Sequence, residues 1–537
     1  MLDRLERETF DLLVVGGGIT GAGIALDAAS RGLSVALVER DDFASGTSSK
    51  SSKLVHGGLR YLQQGDVRLV YQALRERQRL LRNAPHLVSV LPFLIPVLTR
   101  DGPVSKKIAK ALRSALWMYD LTGGLRIGRR HRRLDADQAL ARCPTMPAEK
   151  LSSGFVYYDA SADDARLTLT IARTAAGHGA AIANRCEVTG FTQGPDGRID
   201  GARVDTGDGE IAVRAGVVVA ATGVWADEVR SLEGGDHPDT LRPAKGVHLT
   251  VPWDLVRNEI AIIISVPGDK RSLFLVPWVE RPDGGFDHCY IGTTDTDYVG
   301  GLDRPQTNDD DLDYVLRAVN HSLTTTITRD DVTGVWAGLR PLVRQTTSER
   351  TADLSRRHSI TTDASGLVTV TGGKLTTYRE MSEDAVDEVL GALGRSARCR
   401  TRRLRLVGAD APPPEADAHL SGRYGAEAQR VLDLCAADPA LAEPLVPGLR
   451  YRRAEAVFAV RHEMATTLVD VLTRRTRAHL QDRAACLAAA PDVADLLAGE
   501  LGWDTAETAD QVAAYGRLCD DELEAATRPD RRHAEAT

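Results

Sequence analysis

One stretch constrains the fold of this chain more than any other. It is a short apolar run at residues 12–15, Leu-Leu-Val-Val, that breaks directly into Gly16-Gly17-Gly18-Ile19-Thr20-Gly21. The run reads as a buried parallel strand. Gly16, Gly18 and Gly21 then form G-x-G-x-x-G at a strand-to-helix turn. Gly16 permits the tight turn, Gly18 lets backbone approach a pyrophosphate, and Gly21 lets the helix pack on the strand. A helix over 19–31 aims its first N–H groups and the positive end of its dipole at that pyrophosphate. A second strand over 34–38 ends in Glu39, placed to accept hydrogen bonds from an adenosine ribose. Together these elements specify a dinucleotide site. By themselves they leave FAD and NAD both open.

At 537 residues the chain is too long for one core and predicts two or three domains. Its net charge of -8 offers no global basis for nucleic-acid binding. Seven scattered cysteines with no C-x-x-C pair suit a reducing compartment and supply neither a disulfide framework nor a metal site. The first strand begins within about ten residues, which leaves no room for a signal peptide. No apolar run reaches the ~18 residues needed to span a bilayer. The expectation is an intracellular protein that meets a membrane, if at all, on one face.

Residues 42–62 are too polar for a core and too long for a routine connection, which marks a functional loop. Ser48, Ser49, Ser51 and Ser52 supply hydroxyls there, Gly57-Gly58 let backbone approach a flat ligand, and Arg60 and Tyr61 follow. Residues 91–98 carry prolines that predict irregular or edge structure. Residues 104–119 predict an amphipathic helix. Ile108, Leu112, Ala115, Leu116 and Tyr119 share one face, Lys106, Lys107, Lys110 and Arg113 lie largely elsewhere, and Trp117 suits a membrane interface. A buried strand from 216 ends in Thr222-Gly223, and a third glycine-ended strand leads through Gly372-Gly373-Lys374-Leu375-Thr376 into a long helix. Between them lie strands near 242–250, 261–266, 273–277 and 288–292. From about residue 400 the chain turns Ala- and Leu-rich and helical.

Residues 16–23 (Gly-Gly-Gly-Ile-Thr-Gly-Ala-Gly) and 51–62 (Ser-Ser-Lys-Leu-Val-His-Gly-Gly-Leu-Arg-Tyr-Leu), with the helical stretch 459–477, resemble the FAD-dependent glycerol-3-phosphate dehydrogenases, within the D-amino-acid-oxidase-like flavoenzymes. The resemblance covers residues 10 to about 477 and its motifs occur in family order. It implies an α/β fold with three parts. These are a Rossmann-like FAD-binding domain (1–85, 150–235 and 335–395), an antiparallel β-sheet substrate domain (86–149 and 236–334), and a C-terminal all-helical domain (400–525). Residues 526–537 would form a disordered tail. The implied FAD is held by Gly16, Gly18, Gly21, Glu39, Ser48, Ser49, Gly57, Gly58, Thr222, Gly223, Gly372, Gly373, Lys374, Leu375 and Thr376. It is noncovalent, although His56 sits in a loop comparable to one through which amine-oxidising relatives attach their flavin.

The implied reaction oxidises sn-glycerol 3-phosphate to dihydroxyacetone phosphate by hydride transfer to FAD. Electrons then pass to a respiratory quinone, from a cytoplasmic enzyme held peripherally on the inner membrane. Arg60, Arg340 and Arg356 suit a phosphate dianion. His248 suits the base that takes the C2 hydroxyl proton. Lys374 and the helix start at Gly372-Gly373 suit the negative charge on reduced flavin. Tyr61 can orient a hydroxyl. Which arginine grips phosphate stays open, as does a homodimer. Three rivals remain: an oxidase that reduces oxygen, an amine-oxidising relative, and a flavin-binding sensor without turnover.

Overall fold

The computed structural model of the chain describes residues 1–58, 66–99, 109–124, 127–234, 239–269, 271–344 and 358–528. Among these residues two sheets and a helical region carry the architecture. The first sheet runs Val368–Gly372, Glu210–Ala220, Thr9–Val15, Val35–Val38, Ala181–Ala183, all parallel. His358–Thr362 adds an antiparallel edge. Successive side chains of Thr9–Val15 alternate between two cores: Leu12 and Val14 enter one, Leu13 and Val15 the other. That explains the unbroken apolar run, since a strand covered on both faces has no solvated side. Helices Ile19–Ser30, Asp164–Gly177 and Tyr378–Ala392 pack on the first of those cores. The glycine-ended strand at 210–220 therefore stands beside the first strand and the one at 368–372 beside 210–220, with their carboxyl ends together.

The second sheet faces this site and has the order Thr296–Asp297, Leu241–Pro252, Phe286–Gly292, Ser272–Glu280, Ala261–Ser265, Val88–Leu98, Leu151–Ala162, Leu54–Val55. Gly334–Val343 also pairs with Leu241–Pro252. Two expectations change here. Residues 91–98 belong to a strand inside the sheet, not to an edge, with one register shift between Val97 and Leu98. Pro92 and Pro96 flank Phe93 and Leu94, the positions paired with Ala261–Ser265, so the missing N–H groups fall beside that short ladder. Leu151–Ala162 and Gly334–Val343, within ranges assigned to the FAD-binding domain, pair in the second sheet. Chain crossings between sheets leave no mark in composition.

The C-terminal region is helical, with Arg453–Glu463, Arg483–Leu501 and Thr505–Ala525 around their own core of Leu468, Val471, Val493, Leu497 and Tyr515. Disorder was expected from residue 526, yet Arg528 accepts a backbone hydrogen bond from Asp309 at 3.0 Å. Residues 529–537 lie outside the described residues. The helix expected over 104–119 is present as Ala109–Tyr119, and residues 101–108 also lie outside. Leu112, Leu116 and Tyr119 face the core, whereas Trp117, Met118 and Leu121 are 45%, 43% and 66% exposed. Among the described residues no helix is long and apolar enough to cross a membrane.

Candidate active site

The site is built outward from the first glycine turn. Gly16 has φ +106°, and a Cβ there would sit 2.8 Å from the Ala221 carbonyl oxygen. A Cβ on Gly21 would collide with the Gly16 carbonyl. The helix Ile19–Ser30 can therefore press its start onto the turn only because both positions are glycine. Ser48 Oγ accepts the Ile19 N–H at 2.9 Å, which ties the polar loop to that helix start. Glu39 accepts from the N–H groups of Gly17 (2.6 Å) and Asp41 (2.9 Å). Burial outweighs those two bonds and pushes its carboxyl up to about 7.

These groups open onto a cavity of about 1040 Å³ that also touches Thr222, Gly223 and the turn from Gly372 to Thr376. Its shape fits a dinucleotide. Backbone is bared at the helix start, a carboxylate lies at the end of the second strand, and the wall completed by Gly372 and Gly373 continues into the second sheet. Of the residues expected to hold the cofactor, Gly16, Gly18, Glu39, Ser48, Gly58, Thr222, Gly223, Gly372, Gly373, Lys374, Leu375 and Thr376 line this cavity. Gly21, Ser49 and Gly57 support it from behind. Ser49 is buried and its carbonyl accepts from Arg477. The Gly57 N–H donates to Tyr119 Oη (3.1 Å) and Asp159 Oδ1 (3.2 Å). His56 lines the cavity, and its N–H donates to Thr376 Oγ1 at 3.1 Å.

The far end of the cavity is the second sheet. Register places His248 opposite Trp336 on one neighbour and opposite Gly292 on the other. A Cβ on Gly292 would collide with the imidazole, so glycine there leaves His248 its place. The ring stacks on Trp336, with centroids 4.8 Å apart and planes within 9°. Its Nε2 lies 2.9 Å from Ser52 Oγ. Burial, reinforced by the charges of Lys53 and Arg340, holds His248 well below the ordinary histidine value. The imidazole is neutral at physiological pH, as a proton acceptor must be.

Arg340 lines the same wall. Nη1 donates to Asp295 Oδ1 at 2.9 Å, and Nη2 donates to the Thr294 carbonyl at 2.9 Å and Thr293 Oγ1 at 3.2 Å. Its charge is thus fixed in place by the protein. Lys374 adds a further cation to the cavity lining. Arg60, Tyr61 and Arg356 lie outside the described residues. The structure adds residues that sequence reasoning missed. Lys50 and Arg271 line the cavity, and Lys53 lies behind it, buried against Trp336. The lysines stand in the same serine-rich loop already marked as functional, which was the available signal.

A strand–glycine–helix cradle facing a sheet that is antiparallel but for one parallel pairing is the arrangement of a dinucleotide-dependent oxidoreductase. Residues 11–379 match the family described as FAD dependent oxidoreductase, and residues 399–508 match the C-terminal domain of alpha-glycerophosphate oxidase. A glycerol-3-phosphate dehydrogenase of Mycobacterium leprae is 40% identical, covering 98% of this chain and 91% of the relative. A mitochondrial glycerol-3-phosphate dehydrogenase of Arabidopsis thaliana is 35% identical over 93% and 84%. The crystal structure of the Bacillus halodurans glycerol-3-phosphate dehydrogenase complexed with FAD superposes with a TM-score of 0.77 at 30% identity, covering 98% of this chain and 97% of that one. The chain therefore belongs to the glycerol-3-phosphate dehydrogenases of the FAD-dependent oxidoreductase family. Its cofactor is FAD.

Proposed function

We propose that this protein oxidises sn-glycerol 3-phosphate to dihydroxyacetone phosphate and passes the electrons to a respiratory quinone, from a peripheral position on the cytoplasmic face of the membrane. The observation that carries the reading is a buried, neutral His248 sharing one cavity with the fixed cation Arg340 and the FAD cradle. FAD supplies the acceptor for the hydride that leaves C2. His248 takes the C2 hydroxyl proton, so that the C2–O bond becomes a carbonyl. Arg340 and Arg271 present positive charge to the phosphate or the developing oxygen. By family resemblance Arg60 and Arg356 join them, and Tyr61 can orient a hydroxyl. Lys374 and the turn at Gly372-Gly373 face the end of the cavity where reduction deposits negative charge.

Anaerobic addition of glycerol 3-phosphate to the purified holoenzyme should bleach the long-wavelength flavin band, and an unchanged spectrum would sink the proposal. The reduced enzyme should then reoxidise far faster with a soluble quinone than with air. The opposite order would favour the oxidase reading that the name of the C-terminal match invites. Acid precipitation should release all yellow colour, since His56 is read as noncovalent.

A further inference from the structure

The loop behind His248 is more heavily built than a cofactor contact requires. Lys53 is buried, at 4% exposure, and holds φ +55°, a conformation that lysine adopts only at some cost. Its Nζ lies 3.2 Å from Asp164 Oδ1 and 4.6 Å from the centroid of the Trp336 ring, the ring on which His248 stacks. Asp164, fully buried, also accepts from the Ser51 N–H (2.9 Å), Ser51 Oγ (2.7 Å) and Arg477 Nη2 (3.2 Å). The carbonyls of Ser51 and Ser52 accept from Trp336 Nε1 (3.1 Å) and Tyr290 Oη (3.0 Å). Thus the 51–53 turn is gripped by Asp164, Trp336 and Tyr290, and its Ser52 hydroxyl meets His248 Nε2.

We propose that Lys53 and Asp164 are positioning residues for His248: a buried ion pair that fixes the Ser52 hydroxyl and the Trp336 ring against the imidazole and keeps a positive charge behind it. The inference rests on His248 being the proton acceptor. The groups that face the imidazole are Ser52 and Lys53 from the turn, Trp336 and Arg340 from Gly334–Val343, and Tyr290 from Phe286–Gly292. Among the described residues no carboxylate hydrogen-bonds to the ring. Positive neighbours disfavour imidazolium, so the base stays in its accepting form as pH falls. Burial and the nearby Arg477 push Lys53 itself down to about 8, which leaves it mostly charged at neutral pH.

The test compares wild type, Lys53→Met and Lys53→Arg as holoenzymes. It reads the His248 titration by NMR of labelled histidine and the pH profile of anaerobic flavin reduction. Loss of a close positive charge should raise the His248 midpoint and the acid limb together by about one pH unit or more. At a pH on that acid limb the reduction rate should fall by up to tenfold for such a shift, with KM and FAD content little changed. Lys53→Arg should restore the wild-type profile. A Lys53→Met holoenzyme with unshifted midpoint and acid limb would overturn the proposal. Should that variant fail to fold, Lys53→Met/Asp164→Asn removes both charges together and should show an upward shift smaller than loss of the lysine alone; no shift would overturn the proposal. The NMR titration needs no substrate. If wild type fails to bleach with glycerol 3-phosphate, the functional reading fails while the titration still decides the Lys53 inference.

Discussion

Arg475 grips Asp42 with both arms of its guanidinium, at 2.6 and 2.7 Å, across 433 residues of chain. Both side chains are buried, and Arg474 adds a second ion pair to the same carboxylate. Burial alone would push the Asp42 carboxyl up, but the two arginines outweigh it and hold it well below the usual range. The C-terminal helical region is thus bolted to the loop that carries Ser48 and the 51–53 turn.

Removing one partner of a buried pair leaves the other uncompensated, at a cost of about 3–5 kcal/mol. Arg475→Met should therefore lower unfolding stability by about 3 kcal/mol, measured in urea at pH 7, and a loss under about 1 kcal/mol would contradict it. Asp42 ionises more readily folded than unfolded. Its contribution is present above about pH 4 and is lost as pH falls below that. The wild type–variant difference should accordingly shrink in acid.

Glu39 makes a prediction for cofactor affinity. Its carboxyl, raised to about 7, is half protonated near neutrality. Ribose hydroxyls donate to the carboxylate form, so bound FAD favours the ionised state. FAD affinity should fall as pH drops from 7 to 5, by up to tenfold per pH unit. In Glu39→Gln that slope should flatten and affinity at pH 8 should be weaker. A variant that binds FAD like wild type at every pH would remove Glu39 from the ribose.

Arg340 is held by Asp295 and the 293–294 backbone in a geometry that a lysine cannot reproduce. Arg340→Lys should reduce kcat/KM for glycerol 3-phosphate by roughly ten- to a hundredfold, the value of one charge-assisted pair. Glycerol, with no phosphate to hold, reports the role. A much smaller loss with glycerol assigns Arg340 to phosphate, and an equal loss assigns it to the C2 oxygen. Wild-type activity would exclude both.

The exposed Trp117, Met118 and Leu121 crown a helix whose sequence is basic. Basic residues near an anionic surface contribute about 1 kcal/mol each. Changing Lys106, Lys107, Lys110 and Arg113 to Glu should release the enzyme from sedimenting membranes while its flavin content holds. Unchanged sedimentation would take this helix out of the attachment.

The parts of the fold legible in the sequence were those written locally. Gly16, Gly18 and Gly21 sit within one turn, and Thr222-Gly223 and Gly372-Gly373 each close a short apolar run, so spacing alone carried them. Pro92 and Pro96 misled because their tolerance depends on where a neighbouring strand pairs, a fact held in residues 261–265. Lys53 and Asp164 were invisible for a related reason. A lysine in a serine-rich loop looks solvated, and only tertiary packing against Trp336 and Arg477 buries it. Ser49 and Gly57 had the right chemistry for the cofactor, but their groups turn toward Arg477, Tyr119 and Asp159 instead.

The long reach from Asp42 to Arg475 also dictates when this protein can be loaded. A ribosome adding about 5–20 residues per second needs roughly 20–90 s between those two codons. Throughout that interval the loop bearing Ser48 lacks its clasp, and for most of it the turn at Gly372-Gly373 does not exist. Until residue 373 has been made the nascent chain has no complete cradle, so stable capture of FAD is expected late in translation or after it. A cell short of the cofactor would then accumulate a full-length chain whose last quarter clasps an empty cradle.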